Sequence, residues 1–343
     1  MRAGWVVALA AVAGLLTFRD YGVTWDEPGH HAHGLAAARY YAGGFRAPTS
    51  APEYTMYGAA FDLPASVLAE ASPAGRWPTR HLFNFAIGLL GLAGAAAVAR
   101  RLGGEAAAGW AALLLALVPG WWGNMFNNPK DVPFATGYVW ATAWLLDMIA
   151  APAITWRLAL GFGAVAGLAM GVRAGGILLL GFLAVIAAVR AARGDRGAPL
   201  RAAAAAATAW LVMLACWPQA QHDPFRWPVE VVVNFVGHFD HTPTVIFLGH
   251  IIRTDELPPD YIPRYLAFTL PELLVLLLPL AAWQGLRRPG AGFLLVAAAA
   301  LVPAAAAMGL RTMLFNGIRH LMFIIPPLAA LAGVAAARGL AAL

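Results

Sequence analysis

The chain is short of sulfur, charge and recognisable soluble-enzyme motifs. Cys216 is the only cysteine in 343 residues, so no internal disulfide is available and the redox compartment is unmarked. It lies in an apolar run and reads as a small buried hydrophobe. Only 12% of residues are charged against 61% hydrophobic, which excludes an ordinary soluble domain. There is no Walker-type phosphate loop, no GxGxxG behind a strand, no HExxH and no paired CxxC, so the corresponding nucleotide and zinc chemistries lack their signatures. The net charge of +6 is no nucleic-acid signal. Most arginines lie between apolar runs, where the positive-inside rule puts them, and no nucleic-acid partner is expected.

What is present is a series of apolar runs of about the length that crosses a ~30 Å hydrocarbon core. They cover 3–18, 82–99, 106–122, 133–151, 202–217, 265–286, 291–309 and 321–337. A longer run, 158–189, is interrupted by Arg173-Ala174-Gly175-Gly176. As one helix it would be about 48 Å long. As a hairpin it places every short arginine-rich connection on one side: Arg2, Arg100, Arg101, Arg157, Arg190, Arg193, Arg196, Arg201, Arg287, Arg288 and Arg338. Only Glu105, Asp147 and Asp195 join them among the acids. The other side then collects fourteen of the seventeen acidic residues, Lys130 and all nine histidines. A single span at 158–189 would scatter the arginines over both faces, so the hairpin is expected. The expected fold is an all-α polytopic membrane protein of about ten transmembrane helices, one domain over 1–343, with both termini cytoplasmic. The first run is read as a retained span, although Ala11-Val12-Ala13 resembles a signal-cleavage site.

Four segments then face outward: 19–80, 123–132, 218–264 and 310–320, with Arg173 at the tip of the hairpin. The first carries Thr24-Trp25-Asp26-Glu27-Pro28, two carboxylates beside a hydrophobic span. Thr24 with Glu27 fits a capping box, and Pro28 suits a first helical turn. The pair either complements the dipole of a surface helix or places Asp26 in an outward cavity as a general base, its pKa raised by partial burial. Asn127 to Phe134 sets Lys130 and Asp131 between two prolines. Lys130 either snorkels or neutralises a phosphate, and Asp131 either caps its helix or orients a phosphate or sugar hydroxyl. Arg319 and His320 open the last span as interfacial anchors or as a clamp on a lipid phosphate. Arg173, between two half-runs, has the same alternatives. The histidines invite a metal reading at His30 with His33, or at His238, Asp240 and His241, but strict ligand spacing is missing. No cofactor or metal is expected.

Taken in order, these pieces resemble the GT-C membrane glycosyltransferases, specifically the family 39 and dolichyl-phosphate-mannose mannosyltransferase group with its lipid A aminoarabinose transferase relatives. The resemblance rests on Trp25-Asp26-Glu27, on Asn128-Pro129-Lys130-Asp131-Val132-Pro133-Phe134, and on Asn316 to Phe323 with Pro326-Pro327. Phe247-Leu248-Gly249-His250, Leu257-Pro258-Pro259 and Tyr261 to Pro271 look like the family's long outer loop. The resemblance implies outward-facing juxtamembrane helices in 19–80 and an inverting transfer of a sugar from a polyprenyl-phosphate carrier to an acceptor hydroxyl. It implies a bacterial inner membrane with the active site on the periplasmic face. The acceptor would be a lipid, glycan or protein, and membrane lipids would surround the chain. Asp26, Glu27 and Asp131 would be catalytic and Arg319 would bind the carrier's phosphate, while charge and depth add Lys130, Arg173 and His320 as substrate-binding residues. The alternative is a transporter or flippase of a polyprenyl-linked sugar, which would place ionisable groups along a path rather than at one face.

Overall fold

The apolar runs become helices because a chain in lipid must satisfy its own backbone hydrogen bonds. The computed structural model describes residues 2–46, 50–237, 243–317 and 319–341. His238, Asp240, His241 and Ile318 therefore lie outside the described residues. Helix α1 is Ala3–Thr17. Segment 19–80 holds α2 (Glu27–Ala42) and α3 (Asp62–Ala71), two helices where the resemblance implied them. Helix α4 (Arg76–Ala116) is broken at Gly104, whose φ of 78° and ψ of −167° are non-helical. The chain folds back at this point. A Cβ on Gly91 would meet Trp121 and one on Gly88 would meet Met125, so residues beyond the break run beside those before it.

Helices α5 (Pro119–Asn127), α6 (Asp131–Ala150), α7 (Trp156–Met170), α8 (Leu178–Ala192) and α9 (Ala198–Cys216) follow. Gly163 of α7 abuts Ala205 and Thr208, while Gly167 abuts Ala209 and Val212. The two helices therefore run parallel, and α8 between them must return the chain. The 158–189 run is a hairpin with Arg173 in its turn. Small residues at such contacts let backbones approach where lipid supplies no hydrophobic drive between helices.

Segment 218–264 holds α10 (Pro218–His222), α11 (Arg226–Gly237) and a two-stranded hairpin, β1 (Thr244–Phe247) with β2 (His250–Arg253). The hairpin departs from the all-α expectation. Leu248 and Gly249 both take positive φ, 52° and 81°, the geometry of a two-residue hairpin turn. Helix α12 (Tyr261–Thr269) ends before Pro271 and α13 (Glu272–Arg287) begins after it, so the expected run 265–286 is two elements. Helix α14 (Ala291–Gly309) leads to a 3₁₀ turn, Arg319–Ile324, and α15 (Ile325–Leu340). Helix α15 lies in the centre along α4, and a Cβ on Gly333 would stand 2.6 Å from the Ala111 amide nitrogen.

The molecule is a multi-pass helical membrane protein. By length and composition, five stretches among the described residues can cross a membrane: Arg76–Ala116, Ala174–Ala192, Ala198–Cys216, Ala291–Gly309 and Arg319–Leu340. Ala3–Thr17 and Trp156–Met170 are shorter apolar helices. The two ends of the bundle separate the charges as the sequence implied. Arg101 grips Asp147 through Nε and a terminal nitrogen (2.7 and 2.8 Å). Arg100 pairs with Glu105, and Asp195 lies between Arg190 and Arg201. All three acids of that end are thus tied to its arginines.

Candidate active site

At the opposite end, the start of segment 19–80 is fastened to the end of α5. Tyr21 stacks on Phe126 at 3.8 Å. Thr24 donates its hydroxyl to the Asn127 carbonyl (2.9 Å), and Asn127 donates its amide to the Gly22 carbonyl (3.0 Å). This brings Asp26, at the N-terminus of α2, beside the N-terminus of α6. There the Asn128 side-chain carbonyl accepts from the Asp131 amide at 2.9 Å, fixing the first turn as an Asx cap does.

Five of the seven anticipated residues form one ion cluster. Lys130 Nζ lies 3.2 Å from Asp26 Oδ2, and an Arg319 terminal nitrogen lies 2.5 Å from the same oxygen. Arg319 Nε is 3.3 Å from Asp131 Oδ2, while Arg173 bonds Asp131 Oδ1. One guanidinium therefore bridges two carboxylates 105 positions apart in the chain, a task suited to its rigid fork. Arg319 reaches this place because its 3₁₀ turn packs on α6, with Phe323 against Phe134 and Tyr138 at 5.0 and 4.8 Å. His320 is buried alongside and meets the Phe315 ring edge-on at 4.5 Å.

Glu27 is not brought into the cluster. It turns away, buried, with His81 Nε2 at 3.1 Å from Oε1 and the Thr24 amide donating to Oε2 at 2.8 Å. The capping contact with Thr24 is present and the partnership with Asp26 is not. A helix rotates successive side chains by about 100°, which separates the two carboxylates. Asp131 is engaged on both oxygens by arginines and also accepts from Asn128 Nδ2 at 3.0 Å. Its geometry braces Arg173 and Arg319. The expectation of a raised Asp26 pKa is reversed. Burial pushes the carboxyl up, but the charges and hydrogen bonds of Lys130 and Arg319 outweigh it and hold the group below its ordinary value.

Sequence reasoning overlooked the supports. Lys130 Nζ stands 5.0 Å from the Tyr57 ring centroid, a cation–π contact. It is also the only lysine among 23 Lys and Arg residues, a signal open to inspection. Behind α2, His30 Nδ1 lies 2.6 Å from Asp62, whose other oxygen accepts from Arg80 at 3.0 Å, and Arg80 donates to Ser66 at 2.7 Å. His33 pairs with Ser50 at 2.6 Å, so His30 and His33 have separate partners. Among the described residues no three His, Cys, Asp or Glu side chains are grouped to hold a metal ion. Beside the cluster opens a largely apolar groove of about 270 Å³, with Arg173 and His320 in its wall and Phe134, Leu178, Leu310 and Phe323 among its apolar lining.

No family model matches the sequence, and no curated protein matches it. Solved structures do match. Against ArnT from Cupriavidus metallidurans in the apo state, 97% of this chain superposes with a TM-score of 0.67 at 21% identity, covering 59% of that chain. Against ArnT bound to undecaprenyl phosphate the TM-score is 0.68 at 19% identity, with 98% and 60% of the two chains covered. The fold is that of the GT-C membrane glycosyltransferases. The archaeal oligosaccharyltransferase AglB from Archaeoglobus fulgidus, in complex with an inhibitory peptide and a dolichol-phosphate, superposes at a TM-score of 0.64 and 12% identity, over 97% of this chain and 50% of that one. The chain spans about three-fifths of ArnT and half of AglB. At these identities the likeness is one of fold.

Proposed function

We propose that this GT-C-fold chain is an inverting glycosyltransferase that moves a sugar from a polyprenyl-phosphate carrier to an acceptor hydroxyl. The observation that carries this reading is the junction of a cation-rich cluster with an apolar groove, which matches the two halves of such a donor. Prenyl units would lie along the groove, and the phosphate would meet Arg173, Lys130 and Arg319. Its place is a bacterial inner membrane, crossed about ten times, with the cluster on the periplasmic face.

Transfer passes through an oxocarbenium-like transition state. The C1–O bond to phosphate breaks while the acceptor oxygen bonds to C1 from the opposite face, inverting the centre. Arg319 and Lys130 neutralise charge growing on the leaving phosphate, and Asp26 takes the acceptor's proton. At rest Asp26 is ionised but weakly basic, since two cations lie against its Oδ2. The donor's phosphate competes for those cations and frees the carboxylate. Asp131 holds the arginines in place. The reading requires no metal ion, because side chains already supply the positive charge. Purified protein is incubated with a polyprenyl-phosphate sugar and candidate hydroxyl acceptors, comparing wild type with Asp26→Asn. Equal transfer by both would remove Asp26 as the base. Absence of transfer with scrambling of the carrier across vesicles would install the transporter reading instead.

A further inference from the structure

Far from the ion cluster, the arginine-rich end of the bundle has its own cavities. One cleft of about 340 Å³ lies among the break in α4, the ends of α6, α13 and α15 and the start of α14, lined by Arg101, Asp147, Arg288 and Arg338. A second, of about 490 Å³, is almost wholly apolar and runs between α8 and α14, with Arg190 and Arg193 in its wall. The two share Ile149 and meet again at the start of α14, where Gly290 and Gly292 line the first and Ala291 the second. An apolar recess along the helices therefore adjoins a basic one.

The charges of these cavities are unbalanced. Asp147 is taken by Arg101 through two hydrogen bonds. Asp195 already answers Arg190 and Arg201. Among the described residues Arg193, Arg288 and Arg338 have no carboxylate within ion-pair distance, although every acid at this end does have an arginine. Positive charge at an inner membrane face serves topology wherever it sits. That role asks for no cavity and no apolar wall behind the charges.

We propose that these adjoining cavities together bind an anionic phospholipid of the inner leaflet, its phosphate held by Arg193, Arg288 and Arg338 at their basic end and its acyl chains seated between α8 and α14. Basic pockets between membrane helices on the cytoplasmic side have the chemistry for such headgroups. The occupant is a diacyl lipid rather than free phosphate because the larger of the two cavities is apolar. The site is independent of the transferase reading, since it lies at the other end of the bundle and uses none of the same residues.

The test is native mass spectrometry of the detergent-solubilised full chain, equilibrated with phosphatidylglycerol or phosphatidylcholine of matched acyl length. Wild type should retain phosphatidylglycerol preferentially. Each arginine near an anionic headgroup contributes roughly fivefold, so Arg193→Gln, Arg288→Gln and Arg338→Gln together should reduce that preference by tenfold or more, on the order of a hundredfold at most. A second variant, Ala298→Trp, fills the apolar part while keeping every arginine, and should also lose the lipid. Glycerol 3-phosphate should not displace it. Equal retention of both lipids by wild type, an undiminished preference in the triple variant, or displacement by glycerol 3-phosphate would each overturn the proposal. A melting midpoint close to wild type shows that a variant's loss of lipid is not loss of fold.

Discussion

Replacing Asp131 by asparagine separates bracing from catalysis. The carboxylate is almost fully buried, its side chain 1% exposed, and it pairs with Arg173, whose side chain is 8% exposed, and with Arg319. Asparagine keeps the shape but removes the charge that pairs with Arg173 and Arg319. Breaking a buried pair from one side costs about 3–5 kcal/mol. Arg319 retains Asp26 at 2.5 Å, while Arg173 loses its buried contact with the Asp131 carboxylate. The expected result is a clear drop in melting midpoint in detergent. Added polyprenyl phosphate should then stabilise the variant more than wild type, because the lipid's phosphate supplies the missing negative charge. At about a hundred times its dissociation constant a ligand adds about 2.7 kcal/mol, enough to recover most of the loss. A variant as stable as wild type would refute the brace. A destabilised variant that ignores the carrier would refute the placement of phosphate against these cations.

Asp26→Asn should lower kcat by roughly 10²–10⁴, the usual worth of a general base, and should also lower the melting midpoint, since it removes the carboxylate paired with the buried Lys130. Lys130→Met should move the acid limb of the kcat/KM profile to higher pH. Lys130 and Arg319 depress the Asp26 pKa below its ordinary value, so the ionised form persists until pH falls through that lowered value, and losing one cation brings protonation on sooner. Glu27→Gln should leave kcat near wild type but reduce thermal stability by about 1.5–3 kcal/mol, the worth of a charged hydrogen bond. Gly333→Val should lower the melting midpoint sharply, since its Cβ would stand 2.6 Å from the Ala111 amide nitrogen and overpacking costs about 1–3 kcal/mol.

The layout of the fold was legible because lipid imposes length and charge rules on sequence. The hairpin at Arg173 followed from arginine placement alone, and the parallel packing of α7 and α9 agrees with it. The pair β1–β2 was also readable, as Thr244-Val245-Ile246-Phe247 and His250-Ile251-Ile252-Arg253 flank a glycine-containing turn, but the surrounding helical pattern drew attention from it. Asp26, Lys130, Asp131 and Arg319 could be named singly. Their contacts could not, since Arg319 meets Asp26 across 293 positions. Sequence distance is also why the direction of the Asp26 pKa was misjudged: burial is visible near the residue, and the cations that outweigh it, Lys130 and Arg319, are not. The divergence of Glu27 from Asp26 needed only helical geometry. The buried set of His30, Asp62, Arg80 and Ser66 left no local pattern, because three separate helices supply it.

The charges of the cluster bear on which carboxylate acts as base. Lys130, Arg173 and Arg319 face Asp26 and Asp131, leaving one net positive charge. A glycosyl phosphate diester brings one negative charge, so the loaded site is neutral. Transfer turns that diester into a monoester of charge approaching −2. If a carboxylate of the cluster takes the acceptor's proton, the protein's charge rises to +2 in the same step and the site stays neutral. If the proton escaped to water, one unbalanced negative charge would remain in a partly buried place where it is costly. The proton acceptor should therefore be a member of the cluster. Asp131 has both oxygens committed to arginines and almost no exposure, whereas the Asp26 side chain is the more exposed of the two. Its two cations are also the ones that the growing phosphate charge would draw away. The carboxylate that loses its partners as charge builds on the leaving group becomes more basic at the moment a base is needed, and in this arrangement that carboxylate is Asp26.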